Sequence, residues 1–311
     1  MIKEILYTIQ SPYRQDMHIY GYRFNHGDKA ACIVGAIRGN EVQQLYVCSQ
    51  LVKVLGELEK RGAIASGKQI MVIPSVNHYS MNVGKRFWPS DNTDINRMFP
   101  GYNEGETTQR VAAGLFEAVQ GYTYGIQMAS FYIPGDFVPH VRMMETGYQN
   151  PSLANLFGLP YVVIRKPKPI DTTTLNYNWQ IWDTSAFSIY TNKTDQIDEV
   201  SAMQAVSAIL RFLTRMGVLR YQCHGGYIAS VIKEEELLNI KCDTAGIFRR
   251  KTEPGEEIHV GQLVAEILDP LEGHVITQIL SPVDGIVFFA HHDPLVMENS
   301  VVFKIIKRLH G

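Results

Sequence analysis

Lys29-Ala-Ala-Cys-Ile-Val-Gly35 and Gln69-Ile-Met-Val-Ile-Pro-Ser-Val76 are two short apolar runs, and the stretch between them decides the fold. Gly39-Asn40-Glu41 opens that stretch, and Leu45, Leu51, Leu55 and Leu58 then recur at helical spacing until Gly62 and Gly67 end the pattern. Strand, helix, strand in this order is a β-α-β unit, which predicts a mostly parallel sheet with helices on its faces.

On the N-terminal side, residues 1–30 alternate polar and apolar around glycine and Asn-His-Gly turns, which predicts an opening β-hairpin. On the other side, residues 77–105 are rich in Asn, Asp, Pro, Gly and Arg, and a loop of that length in a compact domain usually carries function. A helix is predicted over Thr108–Gln120, strands over Tyr124–Met128, Pro160–Arg165 and Ala186–Tyr190, and a long amphipathic helix over Ile197–Met216, ended by Gly217. After Tyr221 helical periodicity fades. Short alternating runs follow, separated by turns such as Glu253-Pro-Gly-Glu256 and Ser281-Pro-Val-Asp-Gly285. The reading is an α/β domain over residues 1–221, with a mostly parallel or mixed sheet flanked by helices, and a small all-β domain over 222–311. Ser281-Pro-Val-Asp-Gly-Ile-Val287 resembles the repeat of lipoyl-type barrels, but no Met-Lys hairpin tip is present, so a structural role is expected.

Composition narrows the function classes. With 311 residues, 45% of them apolar, there is enough for one large core and a smaller one. A net charge of −2 with intermixed signs excludes the basic stripe of a nucleic-acid binder. No apolar run approaches the roughly 20 residues of a membrane span. Met1-Ile-Lys-Glu4 lacks a signal-peptide core, so a cytoplasmic protein is expected. Cys32, Cys48, Cys223 and Cys242 show no CxxC spacing and read as reduced thiols.

Three segments carry candidate chemistry: Gly35-Ala-Ile-Arg-Gly-Asn-Glu41; Val76-Asn77 through Gly84-Lys-Arg86 to Asp94-Ile-Asn-Arg-Met-Phe-Pro-Gly101; and Gly125-Ile-Gln-Met-Ala-Ser130. In this order the chain resembles the succinylglutamate desuccinylase/aspartoacylase family, a branch of the zinc carboxypeptidase fold, over essentially its whole length. The resemblance implies amide hydrolysis of N-acyl amino acids by a zinc-bound water. In the family the first segment supplies a His and a Glu to zinc, residues three apart on one face of a starting helix. The third segment supplies a second His, and a later strand a Glu acting as general base. The Asn-Arg pair of the second segment holds the substrate carboxylate, a task suited to the guanidinium fork.

This chain departs from that pattern at the metal. Arg38 stands at the first His position, Gln127 at the second, Gly125 at the preceding Asp and Tyr190 at the base. Glu41 alone remains of the ligand set. A guanidinium about 4 Å from a divalent ion is repelled by roughly 8 kcal/mol at an effective dielectric of about 20. Arg38 is therefore expected to pair with Glu41 and replace the metal as electrostatic anchor. His78 and His140 are candidate replacement ligands, with blander readings as a loop hydrogen-bonder and a pocket wall. Asn96, Arg97 and Arg86 keep the carboxylate-binding spacing, and Arg142 adds a fourth contact; Arg97 also reads as an ion-pair partner of Asp94 or Asp91. Phe87, Trp88, Tyr132, Trp179 and Trp182 are candidate pocket walls. His224 reads as interdomain linker and Lys166-Pro-Lys-Pro169 as a solvated turn.

Three readings stay open at this point: a hydrolase of N-acyl amino acids, metal-dependent or modified; a binding protein for a small anionic carboxylate on a deacylase scaffold; and different chemistry with Tyr190 and Arg38 as polar groups. A homo-oligomer is left open.

Overall fold

The computed structural model describes residues 1–13 and 15–308. The opening hairpin is β1 (Ile2–Ile9) against β2 (Met17–Phe24), antiparallel, and the deciding unit is β3 (Asp28–Ala36), α1 (Val42–Lys60) and β4 (Lys68–Ser75). A one-turn helix α2 (His78–Asn82), capped by Asn77, starts the long irregular segment. Then come α3 (Thr107–Val119), β5 (Tyr124–Met128), β6 (Gly135–Phe137), β7 (His140–Met144), α4 (Pro151–Asn155), β8 (Tyr161–Arg165), α5 (Leu175–Ile181), β9 (Ser185–Tyr190), α6 (Glu199–Arg215) and β10 (Ser230–Lys233).

These build one nine-stranded sheet in the order β1-β2-β4-β3-β5-β9-β7-β8-β10. Its centre is parallel, as the β-α-β pattern predicts, while β7 runs antiparallel to β9. The sheet is buried on both faces. Leu51, Leu55 and Leu58 of α1 pack with Val206, Ile209 and Leu213 of α6 on one side. Val111 and Leu115 of α3 pack with Trp179 of α5 on the other. Because both faces are covered, the central strands are continuous apolar runs instead of alternating ones.

Two readings of the sequence change here. The segment from Gly135 to Arg142, where the sequence pattern predicts no strand, forms β6 and β7. In β7 the side chains of His140 and Arg142 share one face and Val141 and Met143 the other, the period-two alternation of a strand. The change of character after Tyr221 does not yet leave the large sheet, since Ser230–Lys233 pairs parallel with β8. The small β unit begins with β11 (Leu238–Lys241). It continues through β12 (Gly246–Arg250), β13 (Glu257–Ile258), β14 (Leu263–Leu268), β15 (Val275–Leu280), β16 (Gly285–His291), β17 (Leu295–Val296) and β18 (Val301–Lys307). Strand β6 leaves the large domain and pairs with β16, so the two parts share backbone hydrogen bonds.

Two carboxylates, Asp136 buried and Glu234 partly buried, fasten the small unit. Asp136 of β6 is fully buried and bonds Lys193 at 2.5 Å, Arg250 at 2.9 Å and His292 at 3.2 Å. Glu234, in the turn after β10, lies 2.9 Å from Lys304 of β18 and 3.1 Å from Arg165 of β8. Burial pushes each carboxyl upward, but His292, Lys193 and Arg250 bring Asp136 down to about 2, and Arg142, Lys304 and Arg165 do the same for Glu234. A depressed folded-state value means stability that is present above the unfolded value of about 4 and lost as pH falls toward 2. The protein is expected to lose stability steeply from about pH 4 to pH 2. Asp136→Asn should be less stable at pH 7 and show a shallower acid limb in denaturant titrations. Equal limbs in both proteins would remove Asp136 from this account.

Candidate active site and its charge row

Glu41 precedes α1, and its side chain turns back instead of capping the helix. One carboxylate oxygen accepts the N–H groups of Ile37 at 2.8 Å and Arg38 at 2.9 Å. The other accepts the Ser130 hydroxyl at 2.5 Å and Arg38 Nη1 at 3.2 Å. Gly39 permits this tight turn: a Cβ there would sit 2.1 Å from the Lys85 carbonyl oxygen.

Arg38 is 4% exposed and its fork is fully engaged. Beside its contact with Glu41 it grips Asp94 with two nitrogens, Nε to Oδ1 at 3.1 Å and Nη2 to Oδ2 at 2.8 Å. Asp94 is itself fixed, because Oδ1 accepts the Asn96 N–H at 3.0 Å as the cap of a short 3-10 turn, Ile95–Arg97. Burial alone would lower the Arg38 pKa, but Asp94 and Glu41 outweigh it and raise the value, so the cation is permanent. The expected Arg38–Glu41 pair is thus present, with Asp94 as a second partner.

From Asp94 the charges continue in alternation. Arg97 Nε lies 3.9 Å from Asp94, and its Nη1 meets Asp171 at 3.2 Å. Arg165 bridges Asp171 at 2.9 Å and Glu234 at 3.1 Å. Glu234 then meets Lys304 at 2.9 Å and Arg142 at 3.9 Å. Glu41, Asp94, Asp171 and Glu234 are matched by Arg38, Arg97, Arg165, Lys304 and Arg142, which leaves one cation in excess. Arg142 is that cation in structural terms: it is 4% exposed, and none of its three side-chain nitrogens has a hydrogen-bond partner. Its guanidinium lies 4.6 Å from the Tyr190 ring centroid and 5.3 Å from that of Phe131. Such contacts contribute about 0.5–2 kcal/mol each and do not replace a counter-ion.

A cavity of about 50 Å³ sits over this row, lined among others by Arg38, Asn96, Arg97, Gln127, Ser130 and Tyr190. Four of the sequence candidates therefore share one cavity with Tyr190. Other candidates do not reach it. Arg86 donates to the carbonyls of Phe131 and Tyr132 and faces a second cavity of about 240 Å³ beside Asn40 and His292. His78 begins α2, outside both cavities, and burial and neighbouring His18 lower its pKa. His140 is fully buried, stacked on Tyr190 at 4.7 Å, and its Nδ1–H donates to the Val138 carbonyl at 2.8 Å. Burial and Arg142 hold it well below the usual histidine range, so it is neutral. Of the candidate wall aromatics, Tyr132 lines the cavity; Trp88 and Trp179 are core, and Trp182 packs outside on Phe116.

The donors at this place do not fit zinc. A metal would need Glu41, whose two oxygens already take four donors, and would meet the Arg38 cation where a histidine is required. Gln127 offers only an amide. Among the described residues no three His, Cys, Asp or Glu side chains are grouped so as to hold a metal ion. Gly125 is packed tightly, since a Cβ there would lie 2.6 Å from the Trp179 ring.

The sequence profile of the succinylglutamate desuccinylase/aspartoacylase catalytic domain matches residues 28–182. The chain belongs to this family. No curated protein matches it significantly. Among solved structures it is similar to a succinylglutamate desuccinylase from a Silicibacter species, at 17% identity and a TM-score of 0.80, covering 97% of this chain and 92% of that one. It is also similar to a Rhodobacter sphaeroides succinylglutamate desuccinylase/aspartoacylase, at 20% identity and TM-score 0.76, covering 94% and 89%. A third is the product-bound ectoine utilization protein EutE (DoeB) from Ruegeria pomeroyi, at 16% identity and TM-score 0.78, covering 93% and 89%.

Asp171, Arg165 and Glu234 were not reachable from the sequence, because they lie far apart in the chain and belong to no motif. Ser130 closes the third segment, but nothing in the sequence marks its hydroxyl as a partner of Glu41. Arg38→Ala leaves Glu41 and Asp94 buried without their counter-ion, and should cost about 3–5 kcal/mol in chemical denaturation. Gly125→Ala should cost about 1–3 kcal/mol by overpacking against Trp179, read from the same curves.

Proposed function

We propose that this chain binds a small carboxylate in the cavity above the charge row, on a deacylase scaffold whose metal has been replaced by Arg38. One observation carries the reading: Arg38 is bonded simultaneously to Glu41 and Asp94, so a fixed organic cation holds the place of an exchangeable one. The excess positive charge of the row favours a monoanion. The volume of about 50 Å³, enough for about three to five waters, suits a head group the size of acetate. Asn96 and Arg97 supply the polar contacts that the family uses for a carboxylate, and pre-organised ion pairs spare the ligand the cost of ordering them.

Family membership favours a second reading, hydrolysis of the amide of an N-acyl amino acid with Tyr190 and Arg38 as the polar groups. The two readings separate cleanly. Protein dialysed against trace zinc and then analysed for metal is expected to hold far less than one equivalent, and acetate should bind it equally with or without chelator. Arg97→Gln should weaken acetate binding by about tenfold, or about 1.4 kcal/mol. Near one equivalent of zinc, lost on Glu41→Ala, would overturn the guanidinium-for-metal reading. Release of free amine from N-acetylaspartate or N-succinylglutamate by the metal-free protein would establish the hydrolase instead.

A further inference from the structure

A larger cleft adjoins the inner cavity and has no part in the family's motif. It measures about 400 Å³ and lies between the segment after β8, the turn at Glu234–Glu236 and strands β11 and β18 of the small unit. Its walls present Arg165, Lys166, Lys168, Lys241 and Lys304 against only Glu234 and Glu235. Both acids are already neutralised inside the cleft. Lys166 lies 3.0 Å from Glu235, and Arg165 and Lys304 hold Glu234. The ammonium groups of Lys168 and Lys241 have no carboxylate partner among the described residues. Lys304 is different in kind from a solvated surface lysine: it is 7% exposed and stands 5.1 Å over the Phe131 ring. Arg165 and Tyr132 line both this cleft and the inner cavity, so the two spaces share a wall.

Arg165, Lys304 and Lys166 are balanced by Asp171, Glu234 and Glu235, so Lys168 and Lys241 leave an uncompensated positive charge on one concavity, which concentrates anions. Lysine ammoniums on flexible stems act as point charges and suit a multivalent oxyanion better than a planar monocarboxylate. We propose that this cleft is a second ligand site, specific for a multivalent oxyanion group, a phosphate or a polycarboxylate, carried by Lys168 and Lys241 on a base of Arg165 and Lys304.

The site is tested on the full chain by calorimetric titration with inorganic pyrophosphate and, separately, with citrate, in low-salt buffer. The expected result is saturable binding of one oxyanion per chain. Lys168→Ala/Lys241→Ala, which alters only exposed side chains, should weaken that binding by about tenfold or more and leave acetate binding unchanged. Lys168→Arg/Lys241→Arg should keep most of the affinity, which separates charge from fold damage. Preference for pyrophosphate marks a phosphorylated ligand, and preference for citrate a polycarboxylate. Binding of neither probe, or equal affinity of the alanine variant and the parent, would overturn the proposal. Failure of acetate alone would sink the inner-cavity reading and leave this one standing.

Discussion

Arg38 sits between Glu41 and Asp94, and most of what is particular to this protein depends on that contact. Glu41 is buried at the start of α1 and would be untenable there alone, because an isolated carboxylate in a low-dielectric site costs several kcal/mol. In the family a metal ion meets that need. Here a guanidinium does, and it can do more than balance charge. Its planar fork spans two carboxylates at once, so it ties the end of β3 to the 3-10 turn that carries Asn96 and Arg97. A permanently charged group cannot be chelated or exchanged, and it offers no open coordination position for water.

The same contact starts an alternating row that runs through Asp94, Arg97, Asp171, Arg165 and Glu234 to Lys304, and so from the start of α1 to the small β unit. Asp171 and Lys304 are buried and the other members partly so, and removing one leaves its neighbours short of a counter-charge. Such rows are costly to build and contribute less to net stability than their count suggests. What they do well is fix geometry, and here they hold the walls of two adjoining cavities. The Asp136 cluster performs a similar fastening at the other end of the junction, where β6 has joined the small unit's sheet.

The residues around Arg38 agree with one another. Gln127 lines the inner cavity, and Trp179 fills the space beside Gly125. Tyr190 is packed between His140 and Arg142. Each of these positions has a packing or electrostatic partner, which is the consistency expected of a selected arrangement.

The amino-acid sequence by itself determined the α/β architecture and the family, and set Arg38 beside Glu41. Those properties rest on local signals: period-two and period-3.6 patterns, turn residues, and the identity of side chains at fixed offsets such as Arg38 and Glu41. The Arg38–Glu41 pair was legible for the same reason, since the two residues are three apart at a helix start. The tertiary structure alone decided which charges meet. Asp94 reaches Arg38 across 56 residues, Arg142 loses every hydrogen-bond partner in an aromatic cage, and His140 is withdrawn from any metal by stacking on Tyr190. Those facts depend on the order of strands in the sheet and on how the small unit docks. Electrostatic partnership acts over a few ångströms of space regardless of distance along the chain, so no local pattern in the sequence can encode it.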